Sequence, residues 1–176
     1  MSRQLSIRIL ASECPLDGSA LGVSAKQAYM LKDLQDWSHQ AGLKIVMPPK
    51  VFPVNSVKAM RACIWLARED SSAQKTVMIA FAKSVFKAYW AREEDISQDE
   101  VLAAICASRD IDAKALLEGI SESDIKDQLK ANTEEVIARG GFGSPTMFVG
   151  QDMYFGNDRL GLLREAIIRV KNKPAS

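Results

Sequence analysis

Two short stretches near the C-terminus combine residue types that could hold a peptide-like ligand. The first is Gly143-Ser-Pro-Thr146, behind the glycine-rich run Gly140-Gly-Phe-Gly143. Proline cannot donate to a strand ladder, so Pro145 marks either a strand entrance or a cis bond that presents the backbone of Ser144. Exposed backbone groups of that kind pair with an extended peptide by adding it as a strand. A plain loop-ending proline has the same spacing. The second stretch is Phe155-Gly-Asn-Asp-Arg159, which leads from a predicted strand into a predicted helix. N–H groups at a helix start favour a carboxylate, and a glycine lets a ligand approach the backbone closely. Asp158 could accept from an ammonium, so the stretch suits the α-amino and α-carboxyl end of an amino acid. Alternatively, Asn157 or Asp158 simply caps the helix.

Other reactive residue types are sparse. His39 is the single histidine, which excludes Ser-His-Asp relays and multi-histidine metal sites. Lys26 opens a predicted helix, where the helix dipole disfavours a cation unless something anionic offsets it. Cys14, Cys63 and Cys106 are odd in number and widely spaced. This argues against a disulfide framework and against a zinc site, and points to a reducing, cytoplasmic setting. Cys63 and Cys106 lie in helical patterns and read as small buried hydrophobes, whereas Cys14, before Pro15, is the one to test for reactivity. Ser97-Gln-Asp-Glu100 has capping-box spacing, so its acidic residues need no catalytic role.

These groups must be positioned by a chain of 176 residues, 47% hydrophobic, with 23 Lys and Arg against 22 Asp and Glu. A net charge of +1 supplies no field for a nucleic-acid backbone. The N-terminus alternates apolar and polar residues and is not a convincing signal peptide, and no stretch reaches the roughly 18 apolar residues of a membrane span. Leu5–Leu10 alternates as a strand. From Lys26 the period becomes helical through Met30, Leu34, Trp37 and Ala41, ending at Gly42. Pro48-Pro49 and Pro53 make an extended connection before a helix opened by Ser56. No proline occurs from residue 54 to residue 144, and this block reads as all-helical, with Met78, Phe81, Val85 and Tyr89 as a core stripe. Asp112 and then Ser123 or Asp124 start further helices, the latter running to Gly140-Gly141. The pattern then changes to a strand at Thr146–Val149, a turn at 150–152, a strand at Met153–Phe155 and an amphipathic helix from Asp158 to Val170. The layout is an α/β layer interrupted by a helical block.

The order of these pieces resembles the family of bacterial 2-hydroxychromene-2-carboxylate isomerases, relatives of kappa-class glutathione transferases and of DsbA proteins. The resemblance rests on Gly-Ser-Pro-Thr-Met-Phe-Val-Gly (143–150) and Met-Tyr-Phe-Gly-Asn-Asp-Arg-Leu (153–160). Further support lies in Lys26–Leu34, Phe52-Pro-Val-Asn-Ser56 and Ala88–Ser97. It implies a thioredoxin-like fold with an inserted helical subdomain, divided at 1–47, 48–127 and 128–176. It also implies glutathione as cofactor, a small substrate derived from an aromatic compound, a glutathione-dependent isomerase or transferase activity, and a homodimer. Pro145 would be a cis proline and the Ser144 backbone would pair with the cysteinyl part of glutathione. Phe155, Gly156, Asn157 and Asp158 would line the γ-glutamyl pocket, Lys26 would meet the glycyl carboxylate, and Asn55 would lie toward the substrate.

The chain departs from that family at its start. The serine that stabilises the glutathione thiolate in family members, in an Asp-Phe-x-Ser-Pro-Tyr type segment followed by a helix, has no counterpart here. The Leu5–Leu10 strand aligns with the strand after that helix, so the thioredoxin-like domain is expected to be N-terminally incomplete. No nucleophile is assigned, and Ser12 and Cys14 are local candidates only if their loop substitutes. The other reading is a non-catalytic thioredoxin-like module that associates through an exposed strand edge.

Overall fold

A long proline-free stretch with apolar residues at helical spacing can bury them only by packing helix on helix, and residues 57–119 do so. The computed structural model describes residues 7–8 and 25–172. Helix α1 spans Ala25–Gln40, α2 Val57–Leu66, α3 Ser72–Arg92, α4 Asp99–Ala107, α5 Ala113–Gly119 and α6 Ser123–Ala138. Strand β1 is Ile7–Arg8, β2 Thr146–Val149 and β3 Asp152–Phe155, followed by a 3₁₀ turn at Asn157–Arg159 and by α7, Leu160–Asn172.

The chain divides into two compact units, residues 15–129 and residues 1–14 with 130–176. In the first, Phe81, Val85, Ala88 and Tyr89 of α3 are buried against Ala59, Ala62 and Leu66 of α2 and Leu102, Ile105 and Cys106 of α4, with Leu116 and Ile120 closing the core. The stripe predicted on α3 is thus its core face, with Met78 packed at the margin. Local chemistry sets the ends of α3. The Ser71 hydroxyl accepts from the Gln74 N–H at 3.1 Å, and the helix stops where Glu93 turns left-handed at φ 57°. Two bonds hold the proline-rich connection against this helix end. The Val46 N–H donates to the Trp90 carbonyl at 2.8 Å, and the Tyr89 hydroxyl donates to the Val51 carbonyl at 3.0 Å. Asp112 caps α5 as its position implied, accepting from the Ala115 N–H at 3.0 Å.

The expected capping box at Ser97 does not form. The cap position is Gln98, and Ser97 instead donates both its N–H and its hydroxyl to the Asp95 carboxylate, at 3.0 and 2.6 Å. A charged acceptor two residues upstream outcompetes the neutral geometry of the box. The Asp95 carboxyl is correspondingly held below the ordinary aspartate range, first by the Ser97 hydroxyl. Helix α1 carries its apolar residues at helical spacing, yet Met30 is 54% exposed and Tyr29 63%.

In the second unit the sheet order is β1-β2-β3, with both pairings antiparallel. All four residues of β2 are buried, with α7 over one face and the Arg139 side chain over the other. Met147 and Val149 pack with Tyr154 against Leu163, Ala166 and Ile167 of α7. On the opposite face the Arg139 guanidinium lies 3.8 Å above the Phe148 ring and donates to the Gly150 carbonyl at 2.6 Å. Arg139 follows α6 and ties that helix end to the β2–β3 turn. The turn is one residue shorter than expected: Val149 pairs with Asp152, leaving Gly150-Gln151 as the loop, with Gly150 at φ 63°. A two-residue loop opening on a positive-φ glycine matches the twist of the flanking strands. Of the predicted Leu5–Leu10 strand, Ile7 and Arg8 are described, opposite Met147 and Thr146.

Candidate functional site

The turn that enters β2 is fastened from three sides. The Ser144–Pro145 bond is cis. Beyond it the Thr146 hydroxyl, fully buried, reaches back to donate to the Gly143 carbonyl at 2.5 Å. Across the hairpin, the Gly156 N–H donates to the Pro145 carbonyl at 3.0 Å, one step past the Thr146–Phe155 pair. The Phe155 ring lies over Gly143, and the Phe142 ring packs on it with centroids 4.6 Å apart. Ser144 itself is exposed. The two stretches singled out in the sequence are therefore one structure, joined by a backbone hydrogen bond.

The second stretch differs in detail from expectation. The helix does not begin at Asp158: a 3₁₀ turn covers Asn157–Arg159 and α7 starts at Leu160. Neither Asn157 nor Asp158 caps it. The cap position belongs to Gly156, whose φ of 95° and ψ of 155° place it where glycine alone is comfortable, and no side chain caps the turn. The Asp158 carboxylate pairs through Oδ2 with Arg159, while Oδ1 lies so near Gly156 that a Cβ there would be 2.6 Å away. Asn157 and Asp158 are both exposed.

Six of the predicted site residues, Ser144, Pro145, Phe155, Gly156, Asn157 and Asp158, thus come together within one unit. Lys26 and Asn55 belong to the other unit. Lys26 is exposed in the first turn of α1, a turn that carries no acidic residue. Asn55 uses its side chain locally, its Oδ1 accepting from the Val57 N–H at 3.0 Å to open α2. Gly143 and Thr146 lie in the first stretch and Phe142 in the glycine-rich run ahead of it, but residue type and spacing assign none of them a part in holding the turn. Their signal was present only as a threonine behind a proline and a glycine two residues ahead of it.

Ser12 and Cys14 lie outside the described residues. His39 is exposed in the last turn of α1. Among the described residues no group of three or more His, Cys, Asp or Glu side chains is arranged to hold a metal ion, and no helix is long and apolar enough to cross a membrane. Cys106 is buried and Cys63 half-buried at the core margin, both as free thiols. Burial pushes the Cys63 thiol from 9.0 up to about 11 and raises Cys106 as well. Because thiolate is the reactive form, alkylation mapped by mass spectrometry at pH 8 is expected to leave both unmodified in the native protein and to label both in denaturant. Rapid native labelling of Cys63 would contradict its environment. A thiol whose folded value exceeds its unfolded one stabilises fully below the unfolded value, so this contribution is lost as pH rises from 9.0 through about 11.

A family model described as a DSBA-like thioredoxin domain matches residues 2–168. The chain belongs to the DsbA-like thioredoxin family. Among DsbA-like relatives, 2-hydroxychromene-2-carboxylate isomerase of Pseudomonas putida is 33% identical over 150 residues, 84% of this chain and 68% of that protein. Glutathione S-transferase kappa 1 of Homo sapiens is 27% identical over 145 residues, 78% of this chain and 64% of that one. A solved structure of 2-hydroxychromene-2-carboxylate isomerase superposes with a TM-score of 0.64 at 27% identity, covering 82% of this chain and 67% of that one. The chain spans about two thirds of the length of these relatives. This DsbA-like chain therefore sits among relatives with isomerase and kappa-class transferase names, and its small antiparallel sheet with abundant helix is a form of the thioredoxin-like fold inferred from sequence.

Proposed function

We propose that the protein binds glutathione and acts as a glutathione-dependent isomerase on a small substrate derived from an aromatic compound, or as a related kappa-type transferase. The observation that carries this reading is the junction of the Ser144–Pro145 turn with Gly156–Asp158 through the Gly156 N–H to Pro145 carbonyl bond. An extended cysteinyl backbone would pair with Ser144, and the γ-glutamyl end would lie at Phe155–Asp158. The residues present suit such an end: Asp158 offers a carboxylate to the ammonium, Gly156 leaves room where a Cβ would crowd that carboxylate, and the start of the 3₁₀ turn and α7 favours the α-carboxylate. Bound glutathione supplies a thiol that adds to an activated double bond and later leaves, without net redox change.

Calorimetric titration tests the reading. Glutathione is expected to bind the wild-type protein, and Asp158→Ala to weaken binding by at least about tenfold, the loss of roughly one charged hydrogen bond. Absence of binding at millimolar glutathione would sink the proposal. A cytoplasmic setting accords with the free thiols of Cys63 and Cys106.

A second reading, a non-catalytic module that associates with itself as a homodimer, draws on one observation. Tyr29, Met30 and Leu31 of α1 are 63%, 54% and 42% exposed, an unusual density of apolar surface for one helix. Light scattering separates the two: a dimer that ignores glutathione supports association alone, and a monomer counts against it.

A further inference from the structure

We infer that Phe155 acts as a positioning residue beyond its place beside the ligand: its ring, seated on Gly143, holds the Ser144 backbone in the conformation that a peptide-like ligand would pair with. The inference rests on the glutathione reading for its ligand but not for its geometry.

Gly143 is not a glycine for its backbone. The positive-φ glycines among the described residues are Gly42, Gly140, Gly150 and Gly156, and Gly143 is not one of them. What forbids a side chain there is space, since a Cβ at Gly143 would stand 2.7 Å from Cε2 and 3.2 Å from Cζ of Phe155. The ring is backed by Phe142, which packs on it at 4.6 Å with the planes tilted by 45°, so making room for a methyl disturbs this pair. Nor can the backbone of Phe155 shift alone, because it is paired with Thr146, and the next residue, Gly156, is bonded to the Pro145 carbonyl. Gly143 is therefore held by the Thr146 hydroxyl on its carbonyl and faces the ring on the side where a Cβ would stand. Pro145 is held by Gly156. Ser144, exposed between them, inherits its orientation from both neighbours.

This predicts a pattern of coupling that simple loss of packing does not produce. Gly143→Ala is expected to displace the turn and weaken glutathione binding, measured by calorimetry, by about tenfold. Phe155→Ala is expected to weaken it less, because the remaining hydrogen bonds still hold the turn. In the double variant the new methyl meets no ring, so binding is expected to return to within about twofold of Phe155→Ala alone. A residue that only stabilised the fold would make the double variant the worst of the three, and strictly additive losses, or wild-type affinity in Gly143→Ala, would overturn the inference. Amide hydrogen exchange at Gly156, whose N–H is bonded to the Pro145 carbonyl, reads the positioning without any ligand: exchange is expected to rise about tenfold in Gly143→Ala and to fall back in the double variant. Unchanged exchange in Gly143→Ala refutes the clamp even if glutathione binds. Wild-type protein that ignores glutathione while the exchange pattern holds refutes the glutathione reading and keeps the clamp. Should Gly143→Ala fail to fold, the double variant is still expected to fold, and its failure would count against the steric account.

Discussion

Replacing Phe81 with alanine is expected to destabilise the helical unit by roughly 3–5 kcal/mol. Phe81 is fully buried on α3, where it faces a core built from α2, α4 and α5. Removing the ring forfeits its transfer free energy and leaves a cavity. Its neighbours can fill that space only by moving helices whose ends are fixed by Ser71, Asp112 and the bonds from Tyr89 and Val46. The helix itself is not threatened, since alanine is the better helix former, so the loss isolates packing. Denaturant unfolding followed by tryptophan fluorescence is a direct measure, because Trp37, Trp65 and Trp90 all lie in residues 15–129. A change below about 1 kcal/mol, the average over all point substitutions, would show that the site collapses around the deletion or that the core is assembled differently.

The second large effect belongs to Gly156. Its backbone lies at φ 95° and ψ 155°, a region that costs a residue with a Cβ about 1–3 kcal/mol. The added methyl would also meet Asp158 Oδ1 at 2.6 Å. Gly156→Ala must therefore either hold a strained backbone or turn the peptide, and turning it breaks the N–H bond to the Pro145 carbonyl. Both outcomes disturb the carboxylate and the turn together. The expected result is a lower melting temperature and glutathione binding weakened by well over about tenfold, a larger loss than at Gly143. Gly161 is the control. Nothing lies within 4 Å of a Cβ built there, and Gly161→Ala in α7 is expected to be neutral or slightly stabilising. Equal effects at the two glycines would mean that neither backbone strain nor the carboxylate contact governs this turn.

Much of this architecture could be read from residue order, and the exceptions share a cause. The α3 stripe was legible because Met78, Phe81, Val85 and Tyr89 repeat at the period of the helix they form. Asp112 was legible because an aspartate ahead of a helical run has few better partners than its own helix start. Ser97 misled because spacing does not reveal a competitor, and the Asp95 carboxylate two residues away captured both of its donors. On α1 the period revealed a helix but not its surroundings, since periodicity identifies a face and cannot say that something covers it. The 3₁₀ turn escaped because it is a backbone event at Gly156, not a side-chain pattern.

The candidate site divides in the same way. Both of its stretches stood out individually, through Pro145 and through the Gly-Asn-Asp sequence. Their joining did not, because it depends on hairpin register: a loop of Gly150-Gln151, one residue shorter than the expected turn, brings Phe155 opposite Thr146 and Gly156 within reach of Pro145. The glycine at 143 is explained only by a ring from the neighbouring strand. Lys26 stood out as a cation at a helix start, but its site role, like that of Asn55, came only from family resemblance, and for Asn55 the structure supplies a local task in opening α2.

The hydrogen bond from Gly156 to Pro145 has a consequence for how this region forms. The residues it joins are separated by about a dozen positions, and closing a loop of that size costs little more chain entropy than the hairpin already requires. While Thr146 also pairs across the chain with Arg8 of β1, the bonds that frame Ser144 on the hairpin side thus join near neighbours in sequence. Contacts of such short range form early and re-form quickly after a local opening. The bond from Gly156 to Pro145 can therefore re-form together with the hairpin register that creates it.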